Sequence, residues 1–465
     1  MLTDATPEFV TKLAMQLGAG AMRMVEPRDL EEPRGVFTGK AAAVFRPLTV
    51  GEVSTILATC NAARVGVVPL SGGTGLAGGQ TLQDGAMPVI LSLERMTTII
   101  DISPENNSMT VQAGAILADV QTAAQNAGRL FPLSLASEGS CRIGGNLATN
   151  AGGVNVLRYG NMRDLCLGLE YVLADGTIVN TLKMLRKDNT GYDLRHLMIG
   201  SEGTLGVITS AILRLLPLPN FYETAMLAVP SPKAALALLT LLSDQLGGVI
   251  SAFELIHRNG LDFLTEAGLP FTEPFSEPSE WMVLLDCADG MTIRDKVENA
   301  LMAAMEAGLV SDAVLAQNEA QRQALWQIRE TIPEANKRVG SVSSHDISVP
   351  VAQVPAFIEA AKQRIDPMFR INCFGHLGDG NLHYNIFPPK GKLRDEFIDL
   401  RPEISRSIYD LVADFGGSFS AEHGIGRLKV DDLKRYSDAG KLATMRAIKN
   451  ALDPGGILNP GAILA

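Results

Sequence analysis

Residues 67–79 read Val67-Val-Pro-Leu-Ser-Gly-Gly-Thr-Gly-Leu-Ala-Gly-Gly79, an apolar run ending in five glycines within nine residues. The run has the β-branched start of a strand. Glycine carries no Cβ, so successive backbone N–H groups in 71–79 can converge on one anion. Such a nest at the end of a strand binds phosphate or pyrophosphate. A Gly-rich linker is the plain alternative, but linkers seldom follow a strand this directly. Two standard phosphate motifs are excluded. Walker A requires Gly-Lys-Ser/Thr, which is missing, and the dinucleotide fingerprint requires a helix opening from the glycines, whereas Gln80-Thr-Leu-Gln-Asp-Gly85 continues as loop.

Working outward, Thr49-Val-Gly-Glu52 has the capping-box pattern, and Val53, Ile56, Leu57 and Cys60 follow at helical spacing. Residues 137–153, Ser137-Glu-Gly-Ser-Cys-Arg-Ile-Gly-Gly-Asn-Leu-Ala-Thr-Asn-Ala-Gly-Gly153, are small and polar, suited to lining a flat ligand. Residues 169–179 read as strand, turn and strand around Asp175-Gly176. Gly200-Ser-Glu-Gly-Thr-Leu-Gly206 repeats the small-residue character before a further strand. Three such segments in one half of the chain point to an extended ligand that carries a phosphate.

The other half turns on residues 371–387, Ile371-Asn-Cys-Phe-Gly-His-Leu-Gly-Asp-Gly-Asn-Leu-His-Tyr-Asn-Ile-Phe387. Asp379-Gly380 is a favoured type I′ turn dipeptide. A two-residue turn there pairs Gly378 with Asn381, Leu377 with Leu382 and His376 with His383. Cross-strand partners share a face with Cβ atoms about 5 Å apart, and Asn385 joins them by alternation. A third histidine, His423, sits beside Glu422 in Ser-Ala-Glu-His-Gly-Ile-Gly. Two imidazoles and a carboxylate form a common catalytic zinc set that leaves a position open. Surface histidines on a Gly-rich hairpin are the competing reading.

A chain of 465 residues implies two or three domains. The net charge of -11 argues against nonspecific binding to nucleic acid or anionic membrane. Cys60, Cys141, Cys166, Cys287 and Cys373 are scattered and never form Cys-x-x-Cys, as expected of reduced thiols in a cytoplasmic protein. No leader pattern and no uncharged run near the ~18 residues of a membrane helix is visible, so a soluble protein is expected. Past Pro217-Leu-Pro-Asn220, strands are expected at 224–229 and 281–287. Helices are expected at 233–245 and 294–307, with a long amphipathic helix over 397–415. This order suits an antiparallel sheet with helices on one face.

Taken together, 71–79, 143–153 and 200–206 resemble the FAD-binding domain of vanillyl-alcohol oxidase type flavoproteins. The 376–385 hairpin, Glu422-His423-Gly424 and Asp453-Pro-Gly-Gly-Ile-Leu-Asn-Pro-Gly461 resemble the FAD-linked 2-hydroxy-acid dehydrogenase branch, which includes D-lactate dehydrogenase, the glycolate oxidase flavin subunit and D-2-hydroxyglutarate dehydrogenase. The resemblance covers nearly the whole chain from about residue 40. It implies an α+β fold: a two-subdomain FAD-binding domain of vanillyl-alcohol oxidase type over 1–217, rejoined by the tail 450–465 with Asn459. An α+β substrate and metal domain with an antiparallel sheet occupies 218–449. The implied flavin contacts are Pro69, Ser71, Gly72, Gly73, Thr74, Gly75 and Leu76 in the first loop. Gly139, Ser140, Gly144, Gly145, Ala148, Thr149, Asn150, Gly152 and Gly153 follow in the second segment, then Glu202, Gly206, Val207 and Ile208. Thr74 stands where covalent members have a histidine, which implies non-covalent FAD.

The resemblance also implies D-2-hydroxy-acid oxidation with hydride transfer to flavin N5. His376, His383 and Glu422 would hold a divalent metal, zinc by donor type. That ion would lower the pKa of the substrate hydroxyl. His423 would be the base and a substrate contact, with Asn385 a second contact. Leu325-Trp-Gln-Ile-Arg-Glu-Thr-Ile332 resembles the segment whose arginine holds the substrate carboxylate, giving Arg329; otherwise a lone helical arginine is a solvated charge. The chain departs from the hydroxyglutarate branch at Ser344, where that branch has a lysine for a second carboxylate. A single-carboxylate substrate is therefore expected, with D-2-hydroxyglutarate or D-malate as the alternative and His345 as the neighbouring group able to replace the lysine. The implied partners are a small hydroxy acid and an electron acceptor, either a quinone, an electron-transfer flavoprotein or a cytochrome. The expected assembly is a homodimer. Two other classes compete: a non-redox transferase of the alkylglycerone-phosphate synthase kind, and an electron-relay subunit without catalysis. A relay would need no metal or base.

Overall fold

A computed structural model describes residues 1–35 and 37–464. The chain divides into two compact units, one formed by Met1–Gly153, Gly160–Leu218 and Glu422–Ala465, the other by Val154–Tyr159 and Pro219–Ala421. The segment that rejoins the first unit thus starts at Glu422, well before position 450, and a short stretch of the first half belongs to the second unit.

The first unit holds two main sheets. In the first sheet the strands run Met22–Arg23, Val44–Phe45, Val89–Ser92 and Val67–Leu70. Its last three strands are parallel. The helix Val50–Ala63 makes the crossover: Thr49 Oγ1 accepts from the Glu52 N–H, Val53, Ile56, Leu57 and Cys60 are buried, and Arg64 ends it in the left-handed region. The second sheet is antiparallel, in the order Ile99–Ser103, Ser108–Gln112, Val207–Arg214, Cys166–Val172, Ile178–Asn180. The C-terminal segment bonds to both sides of Val67: its N–H donates to Ile457 O and its O accepts from Asn459 N–H. Buried Asp453 fixes that segment by accepting from the Ile457 and Leu458 N–H groups and from Lys449 Nζ.

The second unit is built on a seven-stranded antiparallel sheet. Its order is Asp312–Leu315, Phe221–Val229, Trp281–Asp289, Ile250–His257, Arg370–His376, Asn381–Phe387, Ser343–Ser348. Helices cover both faces, not one. Asn259–Glu266 and Glu319–Val339 pack on one side; Pro232–Leu246, Arg294–Glu306, Val354–Arg364 and Arg401–Asp414 lie on the other. The central strands Trp281–Asp289 and Ile250–His257 are buried almost end to end, which requires cover on both faces. The expected long helix begins only at Arg401, because Pro402 suits a first turn but disfavours helix before it; Phe397 lies between two short 3₁₀ turns, Arg394–Glu396 and Ile398–Leu400.

The hairpin forms, with a different register. Phe374, not His376, stands opposite His383, and Asn372 stands opposite Asn385. Residues 377–380 make a four-residue turn closed by Gly380 N–H to His376 O, with Gly380 at φ 81°. The register therefore moves by two residues. A two-residue shift keeps every side chain on its face, so both histidines and Asn385 still share one side. No helix among the described residues is long and apolar enough to cross a membrane.

Candidate active site

In the first unit, the Gly-rich loop, the helix Ile143–Ala148 and the turn before Val207–Arg214 border a cleft with about 930 Å³ of open space. Pro69, Ser71, Gly72, Gly73, Thr74, Gly75, Gly144, Gly145, Ala148, Thr149, Glu202, Gly206, Val207, Ile208 and Asn459 line it, as does His423. Leu76, Gly139, Ser140, Asn150, Gly152 and Gly153 are not among the lining residues. Several of these support the walls from behind. A Cβ on Gly72 would fall 2.7 Å from Ser140 O, and one on Gly153 would fall 2.0 Å from Ser134 O. Asn150 sits at φ 51° and accepts from the Arg163 N–H through Oδ1.

Sequence reasoning missed Gln80, Arg142, Asn146 and Ser201 in the lining. Gln80 Nε2 donates to Gly73 O and Gly75 O, bracing the glycine loop, while Ser71 Oγ accepts from the Gly145 N–H and joins the two Gly-rich segments. The signal for Arg142, Asn146 and Ser201 was present, since all three lie inside the quoted small-residue segments. Gln80 carried none, because its role depends on where the loop folds back. Backbone donors with few side chains, an apolar wall of Leu93, Val207 and Ile208, and Gly73 at φ 69° together fit a flat ring system joined to a phosphate chain.

His423 reaches this cleft because the segment after it is clamped. Glu202, half-buried, accepts from the Ile425 N–H through Oε1 and from the Gly426 N–H through Oε2, both at 2.7 Å. Burial raises the pKa of that carboxyl, against the pull of the two N–H donors. Gly424 (φ 77°) and Gly426 (φ 53°) leave no room for side chains: a Cβ would lie 2.6 Å from Glu202 Oε1 and 2.0 Å from Ala77 O, respectively. Arg427, lowered to about 10 by burial, donates to Gly78 O, Gly79 O, Pro460 O and Asn459 Oδ1, and so ties the glycine loop to the C-terminal segment. Glu422 Oε2 accepts from the Gly153 N–H at 3.4 Å.

In the second unit, the face carrying His376, His383 and Asn385 lies on the strands Arg370–His376 and Asn381–Phe387. The two imidazole centroids are 5.8 Å apart. Each histidine has a carboxylate as its partner on the next strand: Glu254 opposite His376, and Asp346 opposite His383. Glu254 Oε1 meets His376 Nδ1 at 2.5 Å, while Asp346 Oδ1 is 4.0 Å from His383 Nδ1. Arg329 is not a solvated charge. It lies in the buried stripe Leu325, Ile328, Ile332, Asn336 of its helix, its Nε donates to Glu254 Oε2 at 2.8 Å, and its guanidinium sits 4.7 Å above the Phe374 ring. Its terminal nitrogens make no hydrogen bond to a described residue. Glu254 is fully buried, which by itself would raise its pKa, but His376 and Arg329 outweigh burial and hold it well below the usual carboxylate range.

Ser344 is exposed and pairs with Asn385, on the same face. His345 does not replace the missing lysine. It points to the opposite face, buried, with Nδ1 at Tyr384 O, Nε2 at Ser343 Oγ and its ring edge on Tyr409. Strand alternation makes that outcome unavoidable: neighbours in sequence face opposite ways. Glu422 and His423 belong to the first unit, and the hairpin histidines to the second.

Residues 218–463 match the family of FAD linked oxidases, C-terminal domain, and residues 41–182 match an FAD binding domain. A probable D-2-hydroxyglutarate dehydrogenase, mitochondrial, of Oryza sativa subsp. indica is 40% identical over 436 residues, 92% of this chain and 76% of the relative. The D-2-hydroxyglutarate dehydrogenase of Xanthomonas citri pv. viticola is 38% identical over 463 residues, 97% of this chain and 96% of the relative. Among solved structures, p-cresol methylhydroxylase with substrate bound has a TM-score of 0.74 at 17% identity, covering 99% of this chain and 98% of that one. An alkyldihydroxyacetonephosphate synthase has a TM-score of 0.74 at 17% identity, covering 99% and 85%. These two likenesses carry the fold alone, that of vanillyl-alcohol oxidase type flavoproteins. The chain belongs to the FAD-linked oxidases, and it is an FAD-dependent oxidoreductase that oxidises a D-2-hydroxy acid.

Proposed function

We propose that His423 is the base of this oxidation, that Arg329 holds the substrate carboxylate with Asn385 as a second contact, and that His376, His383 and Glu422 hold a divalent metal. The observation that carries the reading is the buried chain Arg329–Glu254–His376, on the face that also bears His383 and Asn385. Glu254 takes Arg329 through Nε, so the terminal nitrogens remain for a planar carboxylate. It takes His376 through Nδ1, which leaves Nε2 as a donor atom. Two imidazoles and a carboxylate suit zinc with one position open. The metal, when bound, supplies a Lewis acid that eases deprotonation of the hydroxyl. FAD, when bound, supplies the hydride acceptor; Thr74 in the glycine loop argues for non-covalent attachment. The protein residues orient the substrate at Arg329 and Asn385, and the imidazole of His423 takes the hydroxyl proton as Cα loses its hydride. An electron acceptor of quinone, electron-transfer flavoprotein or cytochrome type would then reoxidise the cofactor.

The names of the curated relatives favour D-2-hydroxyglutarate as the substrate. Ser344 favours a second reading, a substrate with one carboxylate, because it brings no charge to the face shared with Asn385. Anaerobic bleaching of the flavin by D-2-hydroxyglutarate, D-malate, D-lactate and their L forms separates the two. Bleaching is expected with D acids. Preference for a dicarboxylate would remove the second reading and mean that a group other than residue 344 holds the distal carboxylate; with a one-carboxylate preference, Ser344→Lys should help D-2-hydroxyglutarate and not the native substrate. Bleaching by L acids alone would refute the assignment.

A further inference from the structure

We infer that Glu254 is a positioning residue that sets the substrate-binding arginine and a metal-ligand histidine with one buried carboxylate; this rests on the roles proposed above for Arg329 and His376. Glu254 is the only charged residue in its strand, Ile-Ser-Ala-Phe-Glu-Leu-Ile-His, and it is completely buried. An ion there is costly unless it is paired on both sides. The sheet register supplies one partner, placing His376 directly opposite, and the helix Glu319–Val339 supplies the other from above that face. Each carboxylate oxygen has its own partner, at 2.5 Å to His376 and 2.8 Å to Arg329. A tilt of this one side chain therefore moves both groups. Accepting from His376 Nδ1 also selects the tautomer whose Nε2 lone pair points away from Glu254 and can enter a coordination shell.

Asp346, opposite His383, does not have the same part. Its Oδ1 accepts from Asn381 Nδ2 at 2.9 Å and stays 4.0 Å from the imidazole.

The test is Zn²⁺ affinity of the flavin-loaded protein, read by chelator competition, in Glu254→Gln, in Glu254→Gln with Arg329→Met, and in His376→Ala. Glutamine offers one acceptor and one donor, so it satisfies one partner and repels the other. Loss of a partner to a ligating histidine typically lowers metal affinity about 10- to 100-fold. That loss is expected in both Glu254 variants, with flavin content unchanged. The double variant removes the stranded cation, so it decides the matter if Glu254→Gln alone fails to fold. Unchanged affinity in Glu254→Gln would overturn the inference. Affinity lost in the single variant and restored in the double one would also overturn it, because the effect would then come from unpaired Arg329. Zn²⁺ retained by His376→Ala would instead refute the metal assignment on which the inference stands.

Discussion

Arg329→Met leaves the Glu254 carboxylate with one partner in a site nearly closed to water, the two side chains being 7% and 0% exposed. Removing one member of a buried ion pair costs about 3–5 kcal/mol, mostly because the remaining charge is uncompensated. Methionine is flexible enough to fill the vacated space, so the cavity contribution is small. In a unit of about 200 residues each kcal/mol moves the midpoint by about 2–4 °C, giving a fall of about 6–20 °C. Arg329→Lys keeps the charge and should cost only about 1 kcal/mol, the value of one hydrogen bond. Both tryptophans, Trp281 and Trp326, lie in the second unit, so their fluorescence follows its unfolding while flavin release follows the first. Burial raises the Glu254 pKa, but its partners bring it from 4.5 down to about 2 in the folded chain. A depressed carboxyl stabilises the fold above its unfolded pKa and loses that contribution as pH falls through the folded value. The gap between wild type and Arg329→Met should thus be widest at neutral pH and narrow between pH 4.5 and about 2. A midpoint shift under about 2 °C at pH 7, or a gap that widens on acidification, would refute this account of the pair.

Acid precipitation should release all flavin into the supernatant, since position 74 is threonine; flavin pelleting with the polypeptide would contradict that. Gly426→Ala should lower flavin occupancy and the thermal midpoint together, because its Cβ would lie 2.0 Å from Ala77 O at a positive φ; full occupancy with an unchanged midpoint would show that the 422–427 clamp is slack. His423→Asn should slow anaerobic flavin reduction by about 10² to 10⁴ while metal content holds, the range for a lost general base. Equal loss of rate and metal would make His423 a ligand instead.

Local chemistry was readable in the chain because it repeats at short range. Thr49 and Glu52 announced the helix Val50–Ala63, Asp175-Gly176 the turn between two strands, and the glycines of 71–79 a loop at the end of a strand; all three stand where expected. The shared face of His376, His383 and Asn385 was also readable, since alternation survives a two-residue slip. The register itself was not. Asp379-Gly380 favours a two-residue turn, but the strand Ile250–His257 and its neighbours hold the hairpin in a longer one, which is a property of the whole sheet.

Sequence by itself determined which residue types could do the chemistry: a Gly-rich nest, two histidines on one hairpin face, a Glu-His pair and, through the resemblance, a helical arginine. Tertiary structure decided what each one meets. No spacing rule links Glu254 to His376, 122 residues away, or to Arg329, 75 residues away; only strand pairing and helix packing bring the three together. The same packing turns Gly424 and Gly426 into a fitted contact with Glu202 and Ala77, and it puts His345 on the wrong face to replace a lysine at 344. The physical reason is range. Turns, caps and alternation depend on a few neighbouring dihedrals, whereas burial of a charge depends on every element that excludes water from it.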